Sequence, residues 1–258
     1  MKMRLLCTLL ALASLAGTSF AQTAEPVLGR HSDVVINGTS GKRLSGPNAV
    51  NANTVVYDAT NYVTSGANGY GVGGSSTTDL NAIYGDDCVM LTSAVGSNLS
   101  TLKFVVFCSS SSAAALTSAT ENINIYDTAT SSFIGGFSCT LGALTKGYYS
   151  VYTVSNLETS LSTPITFGVN DVLITQKLSS VVGATRMGTV FGNNNTATAP
   201  AVGTSPAGLY ISTSTQSAGY YTFTGYSANS NGVYYVDVAA APVPTRSESW
   251  GKLKSLYR

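Results

Sequence analysis

Residues Asn122–Asp127 read NINIYD, and the reading of this stretch decides the fold. Ile123 and Ile125 fall on one side of an extended chain and Asn122, Asn124 and Tyr126 on the other, because successive side chains of a strand point to opposite faces. A strand with one dry and one wet face is half of a two-layered β structure. Upstream, TLKFVVF at Thr101–Phe107 is apolar at nearly every position and fits a strand covered on both sides. DVVIN (33–37), NTVVYD (53–58), CVMLT (88–92), YYSVYTV (148–154), DVLITQKL (171–178), GLYISTS (208–214), YYTFTGY (220–226) and VYYVDVA (233–239) have the same β-branched and aromatic character. Gly, Ser, Asn and Pro punctuate the stretches at 64–78, 108–120 and 191–208, which read as linkers. SAAALTSATE (112–121) is the best helical candidate before the tail, and its Ser and Thr content favours a loop.

These signals predict an all-β chain, an antiparallel β-sandwich of jelly-roll type, with a barrel or a β-solenoid as the alternatives. A solenoid would show a repeating unit, and none is found. Residues 22–241 are assigned to the sandwich.

The first 21 residues carry Lys2 and Arg4, an apolar run from Leu5 to about Ala16, and small residues at Ser19 and Ala21. That is the order of a secretory signal peptide cleaved after Ala21, and it predicts a secreted or cell-surface protein. No later stretch approaches the roughly 18 apolar residues of a membrane helix. Of the basic residues, seven lie in the body against eleven acids, so no basic stripe is available for nucleic acid.

Several site chemistries can be weighed residue by residue. Cys88, Cys108 and Cys139 remain after processing, and an exported chain with three cysteines predicts one disulfide, for which Cys108–Cys139 is favoured. Asp86 and Asp87 form the only adjacent acidic pair; they offer oxygen ligands to Ca²⁺, or else cap a turn before a strand beginning at Cys88. No other cofactor is expected. His31, the sole imidazole, lies near the mature N-terminus without a G-x-S-x-G elbow and reads as a surface residue. Asp58, Asp127, Asp171, Asp237, Glu121 and Glu158 are available for acid–base work, but nothing in the sequence pairs them, so no enzyme is indicated. The doublets Tyr148–Tyr149, Tyr220–Tyr221 and Tyr234–Tyr235 each send one ring inward and one outward. Outward rings such as Tyr210, Tyr226 and Tyr235 form a candidate glycan platform, against the plainer reading that Tyr fits a half-buried pleated surface.

Gly85-Asp86-Asp87, Asn124-Ile125-Tyr126 and the turn containing Pro200, Val202, Gly203 and Ser205 follow one another in a layout that resembles bacterial exported β-sandwich proteins of the PEP-CTERM and choice-of-anchor type. The resemblance implies a surface or extracellular structural protein of no assigned catalysis. The C-terminus departs from that pattern, with PVPT followed by a charged tail in place of a membrane helix.

Residues 242–258 form a Pro linker and this tail. Thr245 and Glu248 make a capping-box pattern, and Trp250, Leu253 and Tyr257 share one face of a short amphipathic helix. That face is a candidate docking element for export or attachment machinery, similar to W-G-x-x-K-x-x-Y-R endings of exported bacterial proteins. The function expected from the sequence is a non-enzymatic exported surface or matrix protein with a C-terminal sorting tail, and the alternative is a carbohydrate-binding module.

Overall fold

A computed structural model describes residues 25–26, 29–37, 53–61, 69–73, 80, 82–192, 200–206, 208–213, 217–221 and 231–239, with side chains for all of these except 25–37, 69–73 and 192. The described strands are β1 (Glu25–Pro26), β2 (Gly29–Asn37), β3 (Thr54–Asp58), β4 (Gly69–Gly73), β5 (Ile83–Val89), β6 (Asn98–Cys108), β7 (Ser118–Asp127), β8 (Phe133–Leu141), β9 (Tyr148–Ser155), β10 (Asp171–Val182), β11 (Met187–Gly192), β12 (Leu209–Ser212), β13 (Gly219–Tyr221), β14 (Asn231–Gly232) and β15 (Tyr235–Ala239). One helical turn, α1 (Leu157–Ser160), follows β9. Among the described residues no helix is long and apolar enough to cross a membrane.

The pairing is nested. β7 pairs with β8, β6 with β9, β5 with β10 and β4 with β11, all antiparallel, as in one long hairpin whose tip is the β7–β8 turn. Rolled up, this hairpin gives the sheet orders β4-β11-β6-β9 and β5-β10-β7-β8, which is the jelly roll expected from the sequence. β12 and β13 extend the second sheet to six strands, and β15 and β3 add to the first alongside β6. β2 joins β9 in parallel, the one departure from antiparallel pairing among the described strands. His31 lies in β2, at a register shift between Arg30 and Ser32, rather than ahead of the first strand.

At the tip, Asp127 Oδ1 accepts the amides of Ala129 at 2.8 Å and Thr130 at 3.3 Å. These bonds hold its carboxyl below the usual range, the Thr130 side-chain hydroxyl contributing most.

The core lies between the sheets. On β7, Ala119, Glu121, Ile123 and Ile125 point inward in strict alternation; on β10, Val172, Ile174, Gln176 and Leu178 do the same. β6 is buried along nearly its whole length, as TLKFVVF predicts, and Phe104 stacks on Tyr152 of β9 at 5.5 Å. β15 pairs with β6 only as far as Lys103, and β11 begins at Phe107, so the β6 edge between them lacks a strand partner. Side chains fill the gap: Gln176 Nε2 and Thr189 Oγ1 donate to the Val105 carbonyl at 3.0 and 3.1 Å, and Gln176 Oε1 accepts from Tyr234 at 2.9 Å. A buried carbonyl left unpaired would cost on the order of 1–3 kcal/mol.

The thiols of Cys88, Cys108 and Cys139 are all free and buried, so the disulfide expected from the sequence is not formed. Cys139 sits on β8 opposite Glu121 and within electrostatic reach of Tyr152. Tyr152 is the register partner of Phe104, four residues before Cys108 on β6. Cys108 ends β6 in the other sheet, and its thiol is directed at the Ala114 carbonyl, 4.0 Å away, rather than at β8.

The linker readings need three corrections, the first being that β7 begins at Ser118, inside the 108–120 stretch. β4 lies inside the Gly-rich stretch 64–78, and β11 runs into the start of the 191–208 stretch. The expected signal peptide and the expected C-terminal helix fall outside the described residues.

Candidate functional site

The solvent face of the six-stranded sheet carries the chemistry. Register partners line up Tyr220, Tyr210, Gly85, Thr175, Asn124 and Gly136 as one row across all six strands. A second row contains Asp87, Leu173, Tyr126 and Phe133, and a third Ile83, Lys177, Asn122 and Ser138. Every one of these positions is the outward half of a period-two alternation whose inward half builds the core. Gly85 and Gly136 of the middle row carry no side chain, and the neighbouring Thr175, Leu173 and Asn124 side chains lean over them, keeping this row low.

Two depressions result. One, of about 390 Å³, is walled by Tyr126, Tyr210, Tyr220, Leu173 and the tip residues Thr128 and Ser131. The other, of about 550 Å³, lies over Asn122, Asn124, Phe133, Gly136 and Lys177. The rings meet edge to face: Tyr210 and Tyr220 at 5.5 Å and 73°, Tyr126 and Phe133 at 5.6 Å and 64°. Phe133 is 60% exposed, an aromatic surface that burial in the core does not explain. The polar side chains beside the rings are fixed. Asn122 donates to Lys177 O at 3.0 Å and Ser179 Oγ at 2.9 Å, and Ser138 donates to Asn122 Oδ1 at 2.8 Å. Burial raises the pKa of the Tyr210 and Tyr220 hydroxyls, and the charges of Asp87 and Asp171 push Tyr220 further, so both phenols are neutral hydrogen-bond donors at ordinary pH.

The sequence-predicted sites divide. Tyr210 stands in the groove. Tyr235 lies on β15 of the other sheet, with Lys103 Nζ 4.3 Å from its ring centroid, so it belongs to no shared platform. Tyr226 and the tail residues Trp250, Leu253 and Tyr257 lie outside the described residues. The doublets behave as alternation requires: Tyr149, Tyr221 and Tyr234 are buried, and Tyr148, Tyr220 and Tyr235 are not.

Asp86 and Asp87 are in the middle of β5, not in a turn before it, and their side chains therefore leave on opposite faces. Joint chelation of one Ca²⁺ by this pair and turn capping are both corrected by that alternation. Asp86 is fully buried in the core, where Ser205 Oγ donates to Oδ1 at 3.0 Å and the Tyr57 hydroxyl reaches Oδ2 at 3.4 Å. Burial raises its pKa despite those donors. Asp87 faces outward, where its charge acts on Tyr220, and its pKa is pushed up to about 7 by burial first and then by the hydrogen bond and charge of Asp171.

Gly85-Asp86-Asp87 and the Pro200–Ser205 turn, separate in sequence, thus touch through the Ser205–Asp86 bond. Asn124-Ile125-Tyr126 supplies one core residue and two groove residues. Tyr126, Tyr220 and Phe133 are not among the platform rings expected from the sequence, although NINIYD makes the outward direction of Tyr126 legible and the Tyr220–Tyr221 doublet implies one outward ring. Comparison of the chain with family models, with curated proteins and with solved structures gives no match.

Proposed function

We propose that this chain is a non-enzymatic exported surface or extracellular-matrix protein that holds polysaccharide on the outer face of its six-stranded sheet, with residues 242–258 as its sorting or docking element. One observation carries the reading: four aromatic rings and a row of anchored amide and hydroxyl side chains share one solvent face around adjoining depressions. Sugars present apolar C–H faces and a rim of hydroxyls, and such a face offers stacking surfaces and hydrogen-bond partners together. Tyr210 and Tyr126 rise from strands three apart and wall the same depression, which continues toward Phe133 on the neighbouring strand, an extended surface suited to an oligosaccharide. Asp87 and Asp171, the carboxyls beside this groove, are within hydrogen-bonding reach of one another. Glycoside hydrolases keep theirs roughly 5–10 Å apart, which favours binding over hydrolysis.

The test is affinity electrophoresis and a glycan array with the full mature chain. The double variant Tyr210→Ala/Tyr220→Ala is expected to lose binding about thirtyfold, each ring contributing on the order of 1 kcal/mol, while Tyr235→Ala binds as the native chain does. Equal loss from Tyr235→Ala, or none from the double variant, refutes the assignment of this face. The tail is tested separately. Deleting Arg246–Arg258 is expected to leave the melting temperature nearly unchanged and to alter where the protein accumulates; unfolding with unaltered location would make the tail part of the core.

A further inference from the structure

We propose that Asp87 and Asp171 together bind one divalent cation of the calcium class beside the tyrosine groove. Asp171 pairs with Val89 and Leu173 with Asp87, so the two carboxylates are diagonal neighbours on the outer face of β5 and β10, within hydrogen-bonding reach of each other. Asp87 is only 7% exposed, yet its Oδ1 is buried without a hydrogen-bond donor. An orphaned carboxylate oxygen beside a second carboxylate is what a hard cation satisfies, and a dication cancels both charges where a shared proton cancels one.

Asp171 is positioned for the task. Thr128 Oγ1 donates to its Oδ1 at 2.7 Å, and Thr128 N approaches its carbonyl at 3.4 Å, which ties the site to the β7–β8 tip. Asp171 is exposed, so an ion can enter from solvent. All of these donors are oxygens, which selects Ca²⁺ over zinc or copper. Among the described residues no group of three or more His, Cys, Asp or Glu converges here, so water and hydroxyl or carbonyl oxygens must complete the shell. The affinity should accordingly fall in the roughly 10⁻⁴–10⁻³ M range of weak extracellular sites. The inference needs no sugar and stands apart from the polysaccharide reading.

The full mature chain, stripped with chelator and held at pH 8, is titrated with Tb³⁺ while tyrosine-sensitised emission is recorded, Tyr220 lying close enough to feel both carboxylates. Saturable emission displaced by millimolar Ca²⁺, and weakened at least about tenfold by Asp171→Asn, is the expected result. Asp171 is exposed, so that variant keeps the fold; circular dichroism checks it, and Asp87→Asn serves as the second variant. Absence of saturation, no displacement by about 10 mM Ca²⁺, or equal emission from Asp171→Asn overturns the site. Because sugar is absent throughout, failure here leaves polysaccharide binding untouched, and failure of the glycan array leaves the cation site standing.

Discussion

Replacing Glu121 by Leu is expected to stabilise the domain by about 2–4 kcal/mol at pH 8 and to remove a fall in stability that the native chain shows as pH rises. Glu121 is fully buried on the inner face of β7, between Cys139 of β8 and Leu178 of β10. Neither carboxyl oxygen has a hydrogen-bond partner of ordinary geometry, and the Lys177 amide is the one donor that acts on it. Burial therefore raises its pKa well above the ordinary 4.5. In the unfolded chain it ionises near that ordinary value, whereas in the native state it keeps its proton. Over the interval between the two, the native state binds more protons than the unfolded one, and stability falls with rising pH by about 1.4 kcal/mol per unit. The stabilising share of this proton is complete below about pH 4.5 and is lost as pH climbs through the folded value.

Leu fills a similar volume without a group to ionise. The difference in stability between native chain and variant, from urea unfolding at several pH values, should be small near pH 4.5 and widen above it. Glu121→Gln should flatten the profile equally but gain less, since its amide still lacks partners. A variant that is less stable at every pH, with the native slope retained, would falsify the buried-proton account. Cys139 and Tyr152 supply a second readout. Both hydroxyl and thiol are pushed up to about 12, burial being the main cause and the Glu121 charge a contributor, so their titrations should shift down in the variant.

What the sequence discloses and what it hides follow one physical line. Strands with strict alternation, such as β7, or with an unbroken apolar run, such as β6, are legible because one chain segment carries the whole signal. β4 reads GYGVG, and its glycines mimic a linker; its pairing with β1 and β11 makes it a strand. β5 begins at Ile83, five residues before the predicted start at Cys88, because two adjacent aspartates look like a turn until their environment is known. Asp86 is tolerated inside because Ser205, 119 residues away, and Tyr57, 29 away, supply donors. No local pattern encodes that. The same holds for the outer face: the outward direction of Tyr126 and of one ring in each doublet can be read from alternation. Which of those rings share a groove depends on the order β13-β12-β5-β10-β7-β8, and so does the meeting of Asp87 with Asp171.

The Pro200–Ser205 turn is the hinge pin of that arrangement, and Gly203→Ala is expected to cost about 3–4 kcal/mol. This segment joins the two sheets. Val202 bridges to Asp58 at the end of β3, and Thr204 bridges to Val89 at the end of β5. The Asp58 amide donates to Val202 O at 3.0 Å, and Val89 and Thr204 exchange amide bonds of 2.8 and 3.0 Å. Gly203 stands between these bridges at φ +79°, where an L side chain is strained by roughly 1–2 kcal/mol. An added Cβ would also lie 2.7 Å from Val89 O and 2.8 Å from Tyr57 Cδ2. Tyr57 is fully buried and Val89 O is committed to Thr204, so neither can yield without loosening the bridge or the Ser205–Asp86 bond beside it. Gly96 provides the control. It has the same φ of +79°, but a Cβ there meets nothing within 4 Å, so Gly96→Ala should cost only the torsional share, about 1–2 kcal/mol. Urea unfolding of both variants separates the contributions: a clear excess for Gly203→Ala measures the tightness of the clasp between sheets. Equal losses at the two glycines would mean that the turn moves aside freely, and that Asp86 is held by the sandwich itself rather than by the strap across it.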